Sequence, residues 1–184
     1  MVSMVGVTAF EFSDFNYSVK TLEINDADIL QQLYEKCADY SYIIEGRPPS
    51  PTAAIEEFTA IPEGRSLDDK YMLGIFNSQD ELIGLLEGMQ NYPEDKDWWI
   101  GLIMLAPAYR RKGLLKPLLE EFEQYIAQRG MNYVMGSVAK VNSKVLRLWQ
   151  QMGFKVVRQV EQESNNPRLR SWSVIRRKVG YSNN

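Results

Sequence analysis

The stretch YRRKGLLKPLLEEFEQYI, Tyr109 to Ile126, decides how this chain is read. It gathers Arg110, Arg111, Lys112 and Lys116 around one glycine, Gly113, at the head of an apolar-faced helix. Leu114, Leu118, Phe122 and Tyr125/Ile126 recur at helical spacing, and Gly130 is placed as a left-handed stop. Pro117 agrees with a helix start near Gly113, since a proline in the opening turn forfeits little hydrogen bonding. The first turn of a helix leaves N–H groups without partners and carries the positive end of the helix dipole. A glycine there lets an anion approach with no Cβ in the way, and Arg and Lys add charge-assisted contacts. The spacing is neither that of a Walker loop nor that of the dinucleotide Gly-x-Gly-x-x-Gly. Taken alone, one glycine among cations fits a solvated helix start better than a seat for phosphates.

The rest of the chain narrows the choice. Its 184 residues suffice for one domain with a real core. Hydrophobic residues at 45% and charged residues at 24% give the balance of a globular chain, not a disordered one. The net charge of −3 lacks the basic excess of a general nucleic-acid binder, so any anion site has to be local. The one cysteine, Cys37, rules out an intrachain disulfide and fits a reducing compartment. With no histidine, Ser-His-Asp and Cys-His catalysis are excluded, and no zinc or non-haem iron centre is expected. Acid–base work falls to Glu, Asp, Tyr, Lys or a bound water. The opening MVSMVGVTAFEFSDF has no basic n-region and meets Glu11 before a long apolar run develops. Neither a signal peptide nor a membrane span is expected, and the cytoplasm is the expected location.

Along the chain, residues 1–16 read as an N-terminal lead-in and 17–184 as a single domain. Tyr17–Ile24 alternates as a strand. Asn25 is placed to cap a helix carrying Ile29, Leu30, Leu33, Tyr34 and Cys37 on one stripe. EGRPPSP (Glu45 to Pro51) reads as a loop, with Ser50-Pro51 opening a second helix to about Ala60. Strands follow at Tyr71–Phe76, Leu82–Gln90 and Trp98–Leu105, then the quoted helix, expected over Gly113 to Arg129. A strand at Tyr133–Val138, a helix from Asn142 to Gly153, and strands at Phe154–Val160 and Ser171–Arg177 complete the order βααβββαβαββ. Strand, helix, strand from Trp98 to Val138 implies a right-handed parallel crossover, whereas the earlier hairpins imply antiparallel pairing. The expected fold class is α/β (α+β), a mixed, mostly antiparallel sheet of about seven strands with helices on both faces.

With these elements in place the chain resembles the GNAT superfamily of acetyl-CoA-dependent N-acetyltransferases. The family's signature, Arg/Gln-x-x-Gly-x-Gly/Ala between a strand and a helix, is matched by Arg110-Arg111-Lys112-Gly113-Leu114-Leu115. Its later asparagine, aromatic and Gly-Phe are matched by Asn142, Trp149, Gly153 and Phe154. The two blocks cover roughly Trp98 to Val157. The resemblance implies acetyl-CoA as cofactor, with the backbone of Ile103, Met104 and Leu105 pairing with its pantetheine arm. It implies a pyrophosphate cradled by the N–H groups of Arg111, Lys112, Gly113, Leu114, Leu115 and Lys116, flanked by Arg110, and a pantetheine contact from Asn142. The strands Trp98–Leu105 and Tyr133–Val138 should splay around the thioester, and Gly101 is compatible with a bulge or with close packing.

Two residues depart from the pattern. Leu115 stands where Gly or Ala is usual, and its side chain is expected to point into the core. Trp149 stands where many members carry a tyrosine that protonates the leaving thiolate, so it reads as a wall of the cofactor site or as core. The family's usual carboxylates are missing too: Ser137 occupies one such position, and Trp98–Leu105 contains none. The remaining candidate base is Glu87, within the apolar LIGLLEGMQ, where burial should raise its pKa, unless a bound water relays the proton.

The implied activity is N-acetyl transfer to a primary amine of a small molecule or peptide by direct attack in a ternary complex. The acceptor pocket is expected to draw on the loop after the first helix, DYSYIIEGRPPSP (Asp39 to Pro51), and on the Gln90–Pro93 link, through Tyr40, Tyr42, Glu45, Arg47 and Tyr92. The acidic balance fits a cationic amine, although net charge governs steering more than identity. The alternative is a catalytically degenerate CoA-binding sensor or interaction module, supported by Leu115, Trp149 and the missing carboxylates. A nucleic-acid reading of Arg168, Arg170, Arg176, Arg177, Lys178 and Trp172 has no recognition motif behind it. Homodimerisation through the C-terminal strands follows from family analogy alone.

Overall fold

Among the described residues, apolar runs bounded by turn residues become eight strands of one sheet. The computed structural model describes residues 8–12 and 16–180. The strands are β1 (Thr8–Phe12), β2 (Tyr17–Thr21), β3 (Lys70–Phe76), β4 (Leu82–Gln90), β5 (Asp97–Leu105), β6 (Tyr133–Ala139), β7 (Lys155–Glu161) and β8 (Ser171–Lys178). Their spatial order is β1-β2-β3-β4-β5-β6-β8-β7. Every neighbouring pair is antiparallel except β5 and β6, whose parallel pairing follows from the helical crossover between them.

Three helices, α1 (Ala27–Lys36), α2 (Ala38–Ile44) and α3 (Ala53–Thr59), belong to one side of the sheet, and α4 (Leu115–Ala127) and α5 (Ser143–Gln151) to the other. Under α4 and α5 lies the larger core, with Trp98, Phe122, Leu118, Ile126 and Val134 fully enclosed. Under α1 and α3 lies a second core built on Leu30, Leu33, Met72, Phe76 and Leu85. Among the described residues no helix is long and apolar enough to cross a membrane.

Several elements depart from the sequence reading. The segment expected as lead-in contributes the edge strand β1, while its residues 1–7 and 13–15 lie outside the described residues. The first helix is followed after Cys37 by a second, α2, where a loop was expected. Its Tyr-Ser-Tyr-Ile-Ile run has weak intrinsic helix preference, so packing decides its conformation. Where Asn25 was expected to cap the first helix, a 3-10 turn over Ile24–Asp26 precedes α1, and Asp26 accepts from the Glu23 N–H at 2.8 Å at its head. Helix α3 begins at Ala53, after a turn in which Ser50 Oγ accepts from Thr52 N at 3.2 Å.

The decisive irregularity is in β5. Glu87 pairs with Leu102 and Gly88 with Ile100, so Gly101 is an extra, unpaired residue. A bulge inserts one residue and reverses the faces beyond it. Trp98 and Ile100 accordingly enter the core under α4, whereas Leu102 and Met104 enter the core under α1. The parallel ladder with β6 ends at the same place, its last pair being Ile100 and Gly136.

Phe122 is fully buried and meets Trp98 edge-on, with ring centroids 5.4 Å apart. Phe122→Ala should cost about 3–5 kcal/mol, read as a lowered urea midpoint at unchanged m-value.

Candidate active site

The loop before α4 is shaped by two left-handed residues, Arg111 at φ 60° and Gly113 at φ 76°. Gly113 is glycine for its backbone: an added Cβ would meet nothing within 4 Å, yet an L-residue is strained at that φ. Because Gly113 is left-handed, α4 starts at Leu115 and not at Gly113, and Pro117 falls in its first turn. Left-handed residues in a loop turn consecutive N–H groups toward one concave face, a form suited to anions. Among the described residues, the N–H groups of Arg111, Lys112, Gly113, Leu114, Leu115 and Lys116 have no hydrogen-bond partner. Leu114 is buried, and Leu115 packs against the larger core, leaving its N–H to the loop.

The cations divide into two kinds. Arg110 is committed: its Nε donates to the Leu105 carbonyl at 2.7 Å and its Nη2 to Asp39 at 3.0 Å. That pairing holds the Asp39 carboxyl below its ordinary range. Arg110 therefore ties the loop to α2, three of its five N–H donors being spent on Leu105 and Asp39. The Leu105 carbonyl, expected to pair with pantetheine, is also occupied, since Cys37 Sγ approaches it at 3.5 Å as well. Arg111, Lys112 and Lys116 are exposed. Lys112 lies 5.5 Å over the Tyr109 ring and Lys116 makes a surface pair with Glu120 at 3.8 Å.

Where β5 and β6 part, a narrow cleft opens. It is lined by Gly101, Leu102, Ile103, Ser137, Asn142, Trp149 and Phe154, with Tyr40 and Ile44 of α2 on its far wall. Asn142 sits at the N-cap position of α5 but makes no capping bond, so its amide is uncommitted. Trp149 is buried and edge-on to Phe154 at 4.7 Å, a wall and not an acid. Met104 is buried in the α1-side core, so only its backbone can reach a ligand.

A second cavity of about 570 Å³ opens on the other side of the bulge. Its lining includes Glu87, Tyr40, Glu45, Arg47 and Tyr92, which the sequence reading proposed, and Tyr34, Glu57, Lys70 and Trp99, which it missed. Tyr42 does not line it and is 53% exposed. On a helix, residues two apart point about 200° from one another, so α2 can aim Tyr40 inward only by turning Tyr42 out. Gly101, Leu102, Tyr40 and Ile44 border both cavities.

Glu87 is 7% exposed and faces the bulge so closely that a Cβ at Gly101 would collide with its carboxylate. Gly101 is thus both bulge and close-packed glycine. Burial pushes the Glu87 pKa up to about 7, against the opposing pull of Lys70. Lys70 Nζ lies 2.7 Å from Glu87 and 3.3 Å from Glu57. The Tyr34 hydroxyl donates to Glu57 at 3.0 Å, and burial pushes Tyr34 well above the ordinary phenol range. Tyr40 is pushed up to about 12, also by burial. In the sequence only Glu87 stood out, as a carboxylate in an apolar strand. Lys70 is diagonal to it across the β3–β4 register, a relation with no local signal.

The C-terminal cations are largely spoken for. Arg176 pairs with Asp97 at 3.4 Å, Arg177 Nε donates to Glu123 at 2.7 Å, and Arg168 and Arg170 donate to the carbonyls of Ile43 and Ser164. They brace the fold and do not form a free basic face.

Comparison with known proteins agrees with this geometry. The model of the Acetyltransferase (GNAT) family matches residues 28–154. By sequence alone no curated protein matches the chain. Among solved structures, an acetyltransferase from Thermus thermophilus superposes with TM-score 0.71 at 18% identity, over 94% of this chain and 99% of that one. The spermidine N-acetyltransferase of Vibrio cholerae, in complex with CoA and spermine, gives 0.68 at 19% identity, over 89% and 96%. The ribosomal-protein-S18-alanine N-acetyltransferase of Escherichia coli gives 0.64 at 14% identity, over 90% and 96%.

The raised pKa of Glu87 carries a stability signature. Between the usual 4.5 and about 7 the folded protein binds more protons at this site than the unfolded chain. Stability contributed by Glu87 is therefore full below that window and falls as pH rises through it. The difference in melting temperature between the parent and Glu87→Gln should shift in favour of the variant from pH 4.5 to pH 7.

Proposed function

This chain belongs to the GNAT acetyltransferase family, and from that premise we propose that it moves the acetyl group of acetyl-CoA to a primary amine of a small molecule or peptide by direct attack in a ternary complex. The observation that carries the reading is the meeting of two cavities at the backbone of Gly101 and Leu102, beside the Glu87 carboxylate. One cavity suits the donor and the other the acceptor.

The unpartnered N–H groups from Arg111 to Lys116 would hold the pyrophosphate, with exposed Arg111, Lys112 and Lys116 adding charge. Asn142, free of capping duty, would hold the pantetheine arm alongside the splayed backbone at Ile103 and Met104. When bound, acetyl-CoA supplies an electrophilic thioester carbonyl and a thiol leaving group of pKa about 8.5. Glu87 takes the proton that the acceptor ammonium must lose before its nitrogen can attack the carbonyl carbon. A carboxylate poised at about 7 is matched to that task near neutral pH. Tyr40, still protonated at neutral pH, offers a hydroxyl at the boundary of the two cavities. Backbone N–H groups in the splayed part of β5 would polarise the carbonyl, and the cleft aligns the reactants. Two of the three similar structures are enzymes named for spermidine and for the alanine of a ribosomal protein, which supports an amine acceptor.

The test begins with a thermal melt with and without acetyl-CoA, on the parent and on Gly113→Glu. At ~100 times its dissociation constant the ligand adds about 2.7 kcal/mol, several degrees for a domain of this size, and only the parent should gain it. No gain in a cooperatively melting parent would overturn the donor site. CoA release across an amine panel then follows the transfer itself, and Glu87→Gln should lower kcat/KM about 10²–10⁴-fold. A parent that binds acetyl-CoA yet releases no CoA with any amine would instead establish the CoA-binding module without chemistry.

A further inference from the structure

Lys70 opens β3 and points its ammonium into the floor of the acceptor cavity, its side chain only 4% exposed. An ammonium has three donors. Here all three are used, on Glu87 Oε1 at 2.7 Å, the Ala60 carbonyl at 2.8 Å and Glu57 Oε1 at 3.3 Å. Lys70 thus joins β3, the end of α3 and β4, and has no donor left for a substrate.

One ammonium between two carboxylates leaves a buried cluster one negative charge in excess, and uptake of a single proton makes it neutral. Burial in low dielectric favours the neutral sum. The proton has a preferred seat. Glu57 already accepts from the Tyr34 hydroxyl on its other oxygen and is the more exposed, at 24% against 10% for the Glu87 side chain. Glu87 is the carboxylate that faces the bulge where the two cavities meet. The charged and titratable groups around it are Lys70 on β3, Glu57 on α3, Tyr34 on α1 and Tyr40 on α2, with Glu45, Arg47 and Glu56 at the rim. From β5 come only Gly101 and the Leu102 backbone.

Resting on Glu87 as the base, we propose that Lys70 is its positioning residue and Glu57 the opposing charge, the pair together setting how readily Glu87 takes and keeps the acceptor's proton. Lys70 pulls Glu87 toward its ionised form and fixes which oxygen faces the cavity, while Glu57 pulls the other way. Neither touches the reacting atoms.

The two neighbours should therefore shift Glu87 in opposite directions, which a merely structural role would not do. On the full chain carrying ¹³C-labelled glutamate, Glu87→Gln removes one carboxyl resonance and so assigns it. In Lys70→Gln the midpoint of that resonance should rise by about one pH unit or more, and in Glu57→Gln it should fall. Lys70→Arg, which keeps the charge, should return it close to the parent value. If Lys70→Gln does not fold, Glu57→Gln and Lys70→Arg still decide the matter. A midpoint that stays put, or that moves the same way when either charge is removed, overturns the proposal. The acid limb of amine-dependent CoA release should follow the same shifts. If Glu87→Gln leaves that release unchanged, the base assignment fails, whatever the resonances do.

Discussion

The parallel ladder between β5 and β6 ends after Ile100 and Gly136, and everything at the site depends on that parting. Each strand keeps its other neighbour beyond that point, β4 for β5 and β8 for β6, so the gap is held open from both sides. The bulge at Gly101 makes the separation compatible with a closed core. By inserting one residue it turns Leu102 and Met104 toward the α1 side while Trp98 and Ile100 stay on the α4 side. Backbone freed from the parallel ladder is what a ligand can pair with, and any side chain at the turning point would have to displace the Glu87 carboxylate, which occupies the space of its Cβ.

The sheet thereby separates two kinds of chemistry. On the α4 side, packing of Leu114 and Leu115 anchors a loop whose N–H groups have no hydrogen-bond partner among the described residues, and charge there is exposed and positive. On the α1–α3 side, charge is buried and shared within the cluster of Lys70, Glu57 and Glu87, two carboxylates on one ammonium. The first arrangement suits a phosphate, which brings its own charge and stays partly solvated. The second suits a proton, whose transfer changes charge by one unit in a place where that change is felt strongly. Arg110 joins the halves: its bonds to Asp39 of α2 and to the Leu105 carbonyl set the loop before α4 and the wall shared by both cavities in one frame.

Much of this was legible in the chain. The glycine among cations, the asparagine, the tryptophan and the Gly-Phe that follows sit in local order, and local order is what periodicity and motif spacing record. Glu87 stood out because a carboxylate in LIGLLEGMQ contradicts the run around it. Other features left no such trace. Strand β1 pairs only through β2 and packs through α4, and its sequence does not separate it from a lead-in. Helix α2 has the composition of a loop or strand, and reading it as a loop let Tyr42 converge with Tyr40 when a helix must part them. Arg110 reads as part of the phosphate site, and nothing local shows that Asp39, far away in the chain, pairs with it.

The sequence by itself determined the order of the elements apart from β1 and α2, the parallel crossover, the place of the glycine-and-cation loop before α4 and the one carboxylate out of keeping with its strand, because each of these is written over a few adjacent residues. Tertiary structure alone decided which side chains are spent on the fold and which remain for a ligand, that Gly101 faces Glu87, and that Lys70 and Glu57 share its charge. Those relations join residues brought together by sheet register and helix packing, and the strength of a buried charge pair depends on burial that no local stretch of sequence carries.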